Sequence, residues 1–249
     1  MCPLGAQYYM CTEPHVCVNG VDTTAPELDL SAKSCQSNVY SIYLDGGNQN
    51  NQGYSGAVIH GNVMTAAWGG AVFVNGGGNV NVSNNVIVDG RLWQLSMPCY
   101  PGSTNKTPGS SFEHNILSFD GSLPRKSGFG TILYSNCIDG WGAPQTTDPQ
   151  RFVSMDHNLY WSPTVDVRAA PHLFPSLSRN ATTTGDVPSS WDEWRAQRRT
   201  PLPTDQQSVV ADPLFRDPAR GDYRLQEGSP AWGLGWKALP WPIAVPRQR

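Results

Sequence analysis

One dipeptide, an asparagine followed by an aliphatic residue or cysteine, recurs through the middle of this sequence and limits the folds open to it. Its copies are 23, 30, 21 and 22 residues apart, at Asn62-Val63, Asn85-Val86, Asn115-Ile116, Asn136-Cys137 and Asn158-Leu159. Internal repeats with a period of roughly 20 to 50 residues are typical of solenoids, because one short unit cannot bury its apolar face without a neighbour. The sequence therefore predicts a solenoid.

Short strands, and not helices, fill the repeat. Residues 70–90 (GAVFVNGGGNVNVSNNVIVDG) place short apolar runs between Gly and Asn turns, and they lack a helical period. Within this stretch, VFVNGG at 72–77 echoes IYLDGG at 42–47. The pattern predicts an all-β coil.

The repeats resemble those of right-handed parallel β-helix proteins, in which an asparagine at each turn stacks above the last one and bonds along the ladder. The end of the chain resembles the C-terminal signature of bacterial-type β-helix proteins of carbohydrate metabolism, at 209–215, 217–218, 221–225 and 228–231. With residues 156–161, the resemblance covers residues 38–239. It implies a right-handed parallel β-helix of about five coils, and we expect the chain to be the C-terminal portion of a longer protein.

The pattern divides the chain into three segments. Residues 1–37 show no clear periodicity and are predicted to form a loop-rich, irregular N-terminal lobe. Residues 38–161 hold the coils, and residues 162–249 are predicted to wrap and cap the same domain. Within the wrap, residues 189–197 (SSWDEWRAQ) predict one short helix, with a serine cap and acids in its first turn.

The length and the net charge of the chain limit the number of domains and the kinds of partner that we expect. A chain of 249 residues suits a single domain, and a net charge of −3 gives no reason to expect a nucleic-acid partner. No apolar run approaches the roughly 20 residues that a membrane helix needs. Glycosylation sequons begin at residues 81, 105 and 180. We expect an extracellular or secreted monomer that contacts neither nucleic acid nor membrane.

The cysteines favour disulfides over a metal site. Four of the six cysteines lie within the first 35 residues, and their spacing matches no paired C-x-x-C zinc pattern. One or two disulfides in the N-terminal lobe are the favoured interpretation, and free thiols are the alternative. Cys137 takes the place of an aliphatic residue in its repeat, so we predict that it is a core residue. The N-terminal cysteines are Cys2, Cys11, Cys17 and Cys35.

Acidic residues at the ends of predicted strands are candidates for catalysis. Asp45, Asp89, Asp120 and Asp139 are each followed by glycine, and the last three trail a repeat asparagine by four, five and three residues. Stacked strands lie about 4.8 Å apart, so carboxylates on nearby coils could reach the separations of about 5–5.5 Å or 6.5–9.5 Å that glycosidases use. Asp-Gly is also a common turn pair, which makes a structural role the alternative.

The resemblance assigns roles to some of these acids. β-Helix proteins with similar coils include glycoside hydrolases whose catalytic pair is thought to be two aspartates on successive coils. Asp45 and Asp89 stand at positions that could match this pair, and Asp120 is a third candidate. We therefore expect a glycoside hydrolase that cleaves a polysaccharide without a cofactor.

Five further residues are candidates for binding the substrate. Trp68 and Trp93 flank the central coil, and exposed indoles can stack on the apolar faces of sugar rings. His60 and His114 each lie next to a repeat turn, where an exposed turn residue is the alternative. Arg91 is predicted to lie on a loop beside the coils.

Two other functions fit the same repeats. Many polysaccharide lyases on this fold resemble one another in using Ca²⁺ held by clustered acids, with a lysine or arginine as the base. A non-catalytic β-helix that binds glycans, or that serves as a structural spacer, also fits, because turn chemistry would explain every Asp-Gly pair. A fold alone does not decide among these functions.

Overall fold

The structure is a computed structural model, and short β-strands dominate it. The α-helix of its described part is only six residues long. The sheets described below are parallel except for two short hairpins. The structure describes residues 15–18, 21–24, 40–45, 56–65, 70–75, 79–90, 94–96, 110–119, 132–134, 153–170, 173–174, 190–196 and 205–240.

Three parallel sheets make up the body of the described chain. The first sheet contains Tyr40–Asp45, Gly70–Asn75, Leu95–Ser96 and Leu133–Tyr134. The second sheet contains Val58–His60, Asn81–Ser83, Ser110–Glu113 and Val153–Asp156. The third sheet contains Val63–Thr65, Val86–Val88, Ile116–Ser118, Leu159–Trp161 and Val209–Val210.

The chain visits these sheets in a fixed order. It runs through a strand of the first sheet, then of the second and then of the third before it returns to the first, and we call each such pass a round. Each strand pairs in parallel with the strand of the same sheet in the next round. The predicted all-β class is therefore confirmed for the described chain, which consists mostly of strands in parallel sheets.

The strand register corrects the predicted repeat at one copy. Ile116 pairs directly with Leu159, so no unit containing Asn136 stands between them. Asn136 follows Leu133–Tyr134, a strand of the first sheet, whereas the other repeat asparagines lie between the second and third sheets. Asn136 and Cys137 themselves lie outside the described residues, so the predicted core position of Cys137 stays a prediction.

Alternate residues of the short strands point to opposite faces, and one face builds the core. In Ser110–Glu113, Phe112 is fully buried while Ser111 and Glu113 are partly exposed. This period of two is what a sheet with one covered face requires. The largest fully buried side chains of the core are Trp194, Tyr160, Phe112, Phe119, Phe174, Ile87, Leu95, Leu117 and Ile132.

A column of asparagines between the second and third sheets is the polar exception to this core. The carboxamide oxygen of each member accepts the backbone N–H of the asparagine one round earlier, at 3.0 Å for Asn85, 3.1 Å for Asn115 and 3.0 Å for Asn158. Each Nδ2 donates to a backbone carbonyl of the previous round. These carbonyls belong to Ile59 at 2.8 Å, Val82 at 2.8 Å and Phe112 at 2.9 Å.

We call this column of Asn62, Asn85, Asn115 and Asn158 the asparagine ladder. The residue before each ladder asparagine has a left-handed backbone. The φ angles are 73° at Gly61, 54° at Asn84, 56° at His114 and 55° at His157. This region disfavours β-branched residues and tolerates Gly, Asn and His better. The sharp turn between the two sheets therefore explains the residue types that precede the repeat asparagine.

The ladder ends on a buried carboxylate. Ser208 Oγ accepts the backbone N–H of Asn158 at 2.8 Å, and Asp205 Oδ1 accepts the Ser208 hydroxyl at 2.6 Å. Tyr160 Oη donates to Asp205 Oδ1 at 2.9 Å, and Trp194 Nε1 donates to Oδ2 at 2.7 Å. Burial raises the pKa of Asp205, although the donors around it lower the pKa in part. Asp205 and Ser208 thus replace the asparagine that the next round would supply.

The predicted short helix is confirmed, and it closes this end of the core. The helix spans Trp191–Ala196 and buries Trp191 and Trp194. Ser190 N donates to Glu193 Oε2 at 2.8 Å and Ser190 Oγ accepts from Glu193 N at 3.4 Å, as in a capping box. Both indoles pack on Phe174, with ring centroids 5.3 and 5.9 Å away.

The C-terminal segment covers the outer face of the third sheet. An antiparallel pair, Phe215–Asp217 with Asp222–Leu225, and two 3-10 helices, Pro218–Arg220 and Pro230–Leu234, build this segment. Its apolar side chains Phe215, Leu225, Ala231, Leu234 and Trp236 pack on Val86, Ile116 and Leu159 from successive rounds. This C-terminal segment, which we call the tail (residues 211–240), therefore folds back along the sheet.

The N-terminal lobe is described only at one hairpin. His15–Val18 pairs antiparallel with Val21–Thr24, in a segment for which the sequence predicted no regular structure. Cys17 lies on the first of these strands, but its side chain is outside the described part, as are the other cysteines. The disulfides therefore stay a prediction.

The ladder makes a first prediction about stability. We expect Asn115→Ala to lower the free energy of unfolding by about 2–4 kcal/mol, because it leaves the buried N–H of Asn85 and the carbonyl of Val82 without their partner. Asn81→Ala, at a partly exposed position, is the matched control and should cost under about 1 kcal/mol. Urea unfolding of both variants measures the difference. Equal losses would contradict a structural role for the ladder.

The buried carboxylate makes a second prediction, about pH. Because the pKa of Asp205 is higher in the folded than in the unfolded chain, the folded protein holds this proton to a higher pH. The stability from this group is fully present below the unfolded pKa, about 3.9, and falls as the pH rises through the raised pKa. We expect Asp205→Asn to flatten this fall in urea unfolding from about pH 4 to about pH 8. An unchanged slope, with exposed Asp212→Asn as control, would contradict the prediction.

Candidate functional site

The outer face of the second sheet carries a polar row along the stacking direction. The strand register aligns His60, Ser83, Glu113 and Asp156, one from each round. A second row, two residues earlier on each strand, contains Val58, Asn81, Ser111 and Ser154. Because every second residue of these strands faces the core, both rows lie on the opposite face.

Hydrogen bonds link the two rows. Ser83 Oγ donates to Asn81 Oδ1 at 2.6 Å, and Asn81 Nδ2 donates to Ser111 Oγ at 2.8 Å. His60 Nδ1 lies 3.2 Å from Ser83 Oγ. The hydroxyl proton of Ser83 is used toward Asn81, so His60 Nδ1 carries the proton and donates it. The exposed Nε2 of His60 is then left as an acceptor.

Two carboxylates of the row lie on neighbouring strands in register. Glu113 pairs with Asp156, and adjacent strands are about 4.8 Å apart. Ser154 Oγ donates to Glu113 Oε1 at 2.6 Å. Asp156 is 7% exposed, and its Oδ1 accepts backbone N–H groups from Gln207 at 2.6 Å and His157 at 2.9 Å. Asp156 is therefore held in place, while Glu113 is the more accessible member of the pair.

A histidine follows each of these acids. The rings of His114 and His157 are 5.0 Å apart. His114 Nδ1 donates to the carbonyl of Leu234 at 2.7 Å, which places this imidazole under the tail. The tripeptides Glu113-His114-Asn115 and Asp156-His157-Asn158 therefore repeat one arrangement of acid, left-handed histidine and ladder asparagine. The pair was not among the predicted site residues, and this recurrence was the one feature of the sequence that could have pointed to it.

The structure does not bring the predicted aspartates together on one sheet. Asp45 ends a strand of the first sheet and pairs with Asn75, whereas Asp89 follows a strand of the third sheet. Val88 pairs with Ser118, so Asp89 is level with Phe119. The catalytic role of Asp45 and Asp89 stays a prediction. Asp120, Trp68, Arg91 and Trp93 lie outside the described residues.

Asp89 is exposed and lies near the tail. Its φ of 52° places it in a left-handed turn. Burial raises the pKa of Tyr223, and the negative charge of Asp89 raises it further. The charge of Asp89 therefore acts on an aromatic side chain of the C-terminal segment, which the sequence pattern did not predict.

A pocket of ≈170 Å³ lies between the tail and the third sheet. Val63 and Trp236 line it, together with other aromatic and basic side chains of the tail. From the sequence, this segment was predicted only to wrap and cap the domain. The polar and aromatic wall residues are Arg216, Tyr223, Arg224 and Trp232.

Neither a metal cluster nor a membrane span is found in the described part of the chain. No group of three or more His, Cys, Asp or Glu side chains converges there in a way that could hold a metal ion. None of its helices is both long and apolar enough to cross a bilayer. Comparison with protein-family models, curated proteins and solved structures found no match to this chain.

Proposed function

We propose that this chain is a right-handed parallel β-helix that binds a polysaccharide along its second sheet and hydrolyses its glycosidic bonds. The cyclic order of the three sheets and the asparagine ladder support the solenoid. The observation that carries the function is the register-matched pair Glu113 and Asp156 on an exposed polar face. An extracellular location and a monomeric state belong to the same proposal.

The outer face of the second sheet suits a long, hydroxyl-rich ligand. Hydroxyl, amide, imidazole and carboxylate groups follow one another from strand to strand, from His60 and Ser83 to Glu113. Sugar hydroxyls both donate and accept hydrogen bonds, and this row offers both kinds of partner. The polymer would run along the stacking axis and meet one set of side chains in each round.

Glu113 and Asp156 can divide the two tasks of a glycosidase. Their strand spacing of about 4.8 Å approaches the 5–5.5 Å between the carboxyl groups of retaining enzymes. Glu113 would protonate the leaving oxygen and then activate water. Asp156, oriented by two backbone N–H groups on Oδ1, would attack the anomeric carbon through Oδ2. Asp45, Asp89 and Asp120 are the alternative acids that the resemblance suggests.

Glycan binding without cleavage is the second candidate function. It is favoured by the state of Asp156, whose side chain is 9% exposed and already accepts two backbone hydrogen bonds. In this alternative, the two hydrogen bonds of Asp156 hold the corner between the last round and the tail. In that case Glu113 and the serines would contact the sugar, and no bond would break.

Product analysis on a panel of polysaccharides tests the hydrolase. Hydrolysis creates new reducing ends without ultraviolet-absorbing unsaturated products. We expect Glu113→Gln and Asp156→Asn to lower the rate by about 100-fold or more, because each removes one half of acid–base or nucleophilic catalysis. Both variants should keep the fold, since Asn retains the Oδ1 acceptor for Gln207.

Matched variants separate the outcomes. Glu227→Gln and Asp212→Asn, exposed acids of the tail, should leave the rate unchanged. If only Asp45→Asn or Asp89→Asn lowered the rate of hydrolysis, the protein would still be a hydrolase, but Glu113 would have no catalytic role. Unsaturated products would mean a polysaccharide lyase, with Ca²⁺ then to be tested. Binding without any product would establish the second candidate.

A further inference from the structure

The tail pocket has the composition of a saccharide site and lies on a different sheet from the proposed cleavage site. Three aromatic side chains, Tyr223, Trp232 and Trp236, meet two arginines there, Arg216 and Arg224. Aromatic faces and guanidinium groups are enriched where proteins hold planar or charged ligands. Trp236 and Tyr223 also pack on the apolar cluster under the C-terminal segment, whereas Trp232 is exposed.

Trp232 is both exposed and fixed. Its side chain is 37% exposed, which makes it one of the large apolar residues that the described surface leaves open. Its Nε1 donates to the carbonyl of Gln226 at 2.9 Å, so the indole is held in one orientation by its polar edge. A ring fixed by its edge presents its face to a ligand at little cost in conformational entropy.

Arg216 supplies an uncommitted positive charge at the pocket. Arg224 is engaged by Asp222, with Nε and Nη2 bonded to Oδ1 at 2.8 Å and Oδ2 at 2.5 Å. Arg216 lies near the same carboxylate, whose pKa falls to about 2 because of Arg224 and, to a smaller extent, Arg216. Within the described part of the chain, Arg216 makes no ion pair of its own. Two guanidinium groups thus face one carboxylate.

Asp89 contributes a negative charge in the surroundings of Tyr223. Burial raises the pKa of that phenol, and the charge of Asp89 raises it further. A ligand acid would therefore be repelled from the Tyr223 side and attracted to Arg216. The aromatic face of Trp232 would hold the uncharged part of the ligand.

We propose that the tail pocket binds an acidic sugar residue, with the ring stacked on Trp232 and the carboxylate paired with Arg216. This inference deepens the proposed function and rests on it only in taking the ligand to be a saccharide. It makes the pocket a second, non-cleaving contact that selects polysaccharides containing uronic acid. A guanidinium matches a carboxylate with two parallel hydrogen bonds, which gives geometry as well as charge.

Calorimetry with an oligogalacturonate and its neutral, carboxyl-reduced counterpart of equal length tests the site. We expect the acidic oligosaccharide to bind at least about tenfold more tightly, because a charge-assisted pair is lost in the neutral one. Arg216→Gln should abolish this preference, and Trp232→Ala should weaken both ligands by about tenfold. Raising the salt concentration should weaken only the acidic ligand.

Control variants and a sulfated oligosaccharide define the outcomes. Arg220→Gln, a neighbouring exposed arginine that pairs with Asp217, and Tyr43→Ala, an exposed aromatic on the first sheet, should change nothing. Equal affinity for acidic and neutral ligands, tighter binding of the sulfated one, or a preference that survives Arg216→Gln would each overturn the proposal. Glu113→Gln should leave pocket binding intact. Binding of the acidic oligosaccharide at the pocket without hydrolysis would therefore reject only the proposed cleavage. Hydrolysis without binding at the pocket would reject only the inference about the pocket.

Discussion

The architecture depends on how one side-chain amide satisfies the backbone at the corner between two sheets. At this corner the chain turns within two residues, and the backbone N–H of the ladder asparagine is bonded by a side chain of the next round. A buried carboxamide has one acceptor and two donor hydrogens, so it can serve both an N–H and a carbonyl of the preceding round. Asn85, Asn115 and Asn158 do this at every step. The turn can therefore be both tight and buried.

That constraint also explains how the described stack ends. The backbone N–H of the last ladder asparagine, Asn158, needs a hydrogen-bond acceptor in place of the next asparagine. The group that supplies this acceptor must not leave a backbone N–H of its own unpaired. Ser208 and Asp205 divide this task, and the donors of Tyr160 and Trp194 fill the remaining lone pairs of the carboxylate. The cost of burying a charge is offset because hydrogen bonds from four side chains point at it. The helix that carries Trp194 is thereby tied to the end of the core.

The sequence predicted these features to different depths. The ladder was visible because one residue type is required at one place in each round, as at Asn85 and Asn115. The copy at Asn136 follows a strand of the first sheet instead of the second, and a two-residue pattern carries no information about which sheet precedes it. The pair Glu113 and Asp156 was hidden because long segments separate the two strands, so only the register reveals their proximity. Interactions of the tail, such as the electrostatic influence of Asp89 on Tyr223, arise because the chain reverses its direction and folds back. They therefore produce no periodic pattern in the sequence.

The tail gives the third sheet a role that differs from that of the second. Its apolar side chains cover Val86, Ile116 and Leu159, so the third sheet is closed to a long polymer. Among the described residues, no apolar segment covers Ser83 and Ser111 on the outer face of the second sheet, and both are partly exposed. A polymer lying along the second sheet could meet the tail only at the corner where the ladder runs. A pocket built by the tail would then sample a neighbouring part of the same chain of sugars, so that cleavage and selection of the substrate need not share residues.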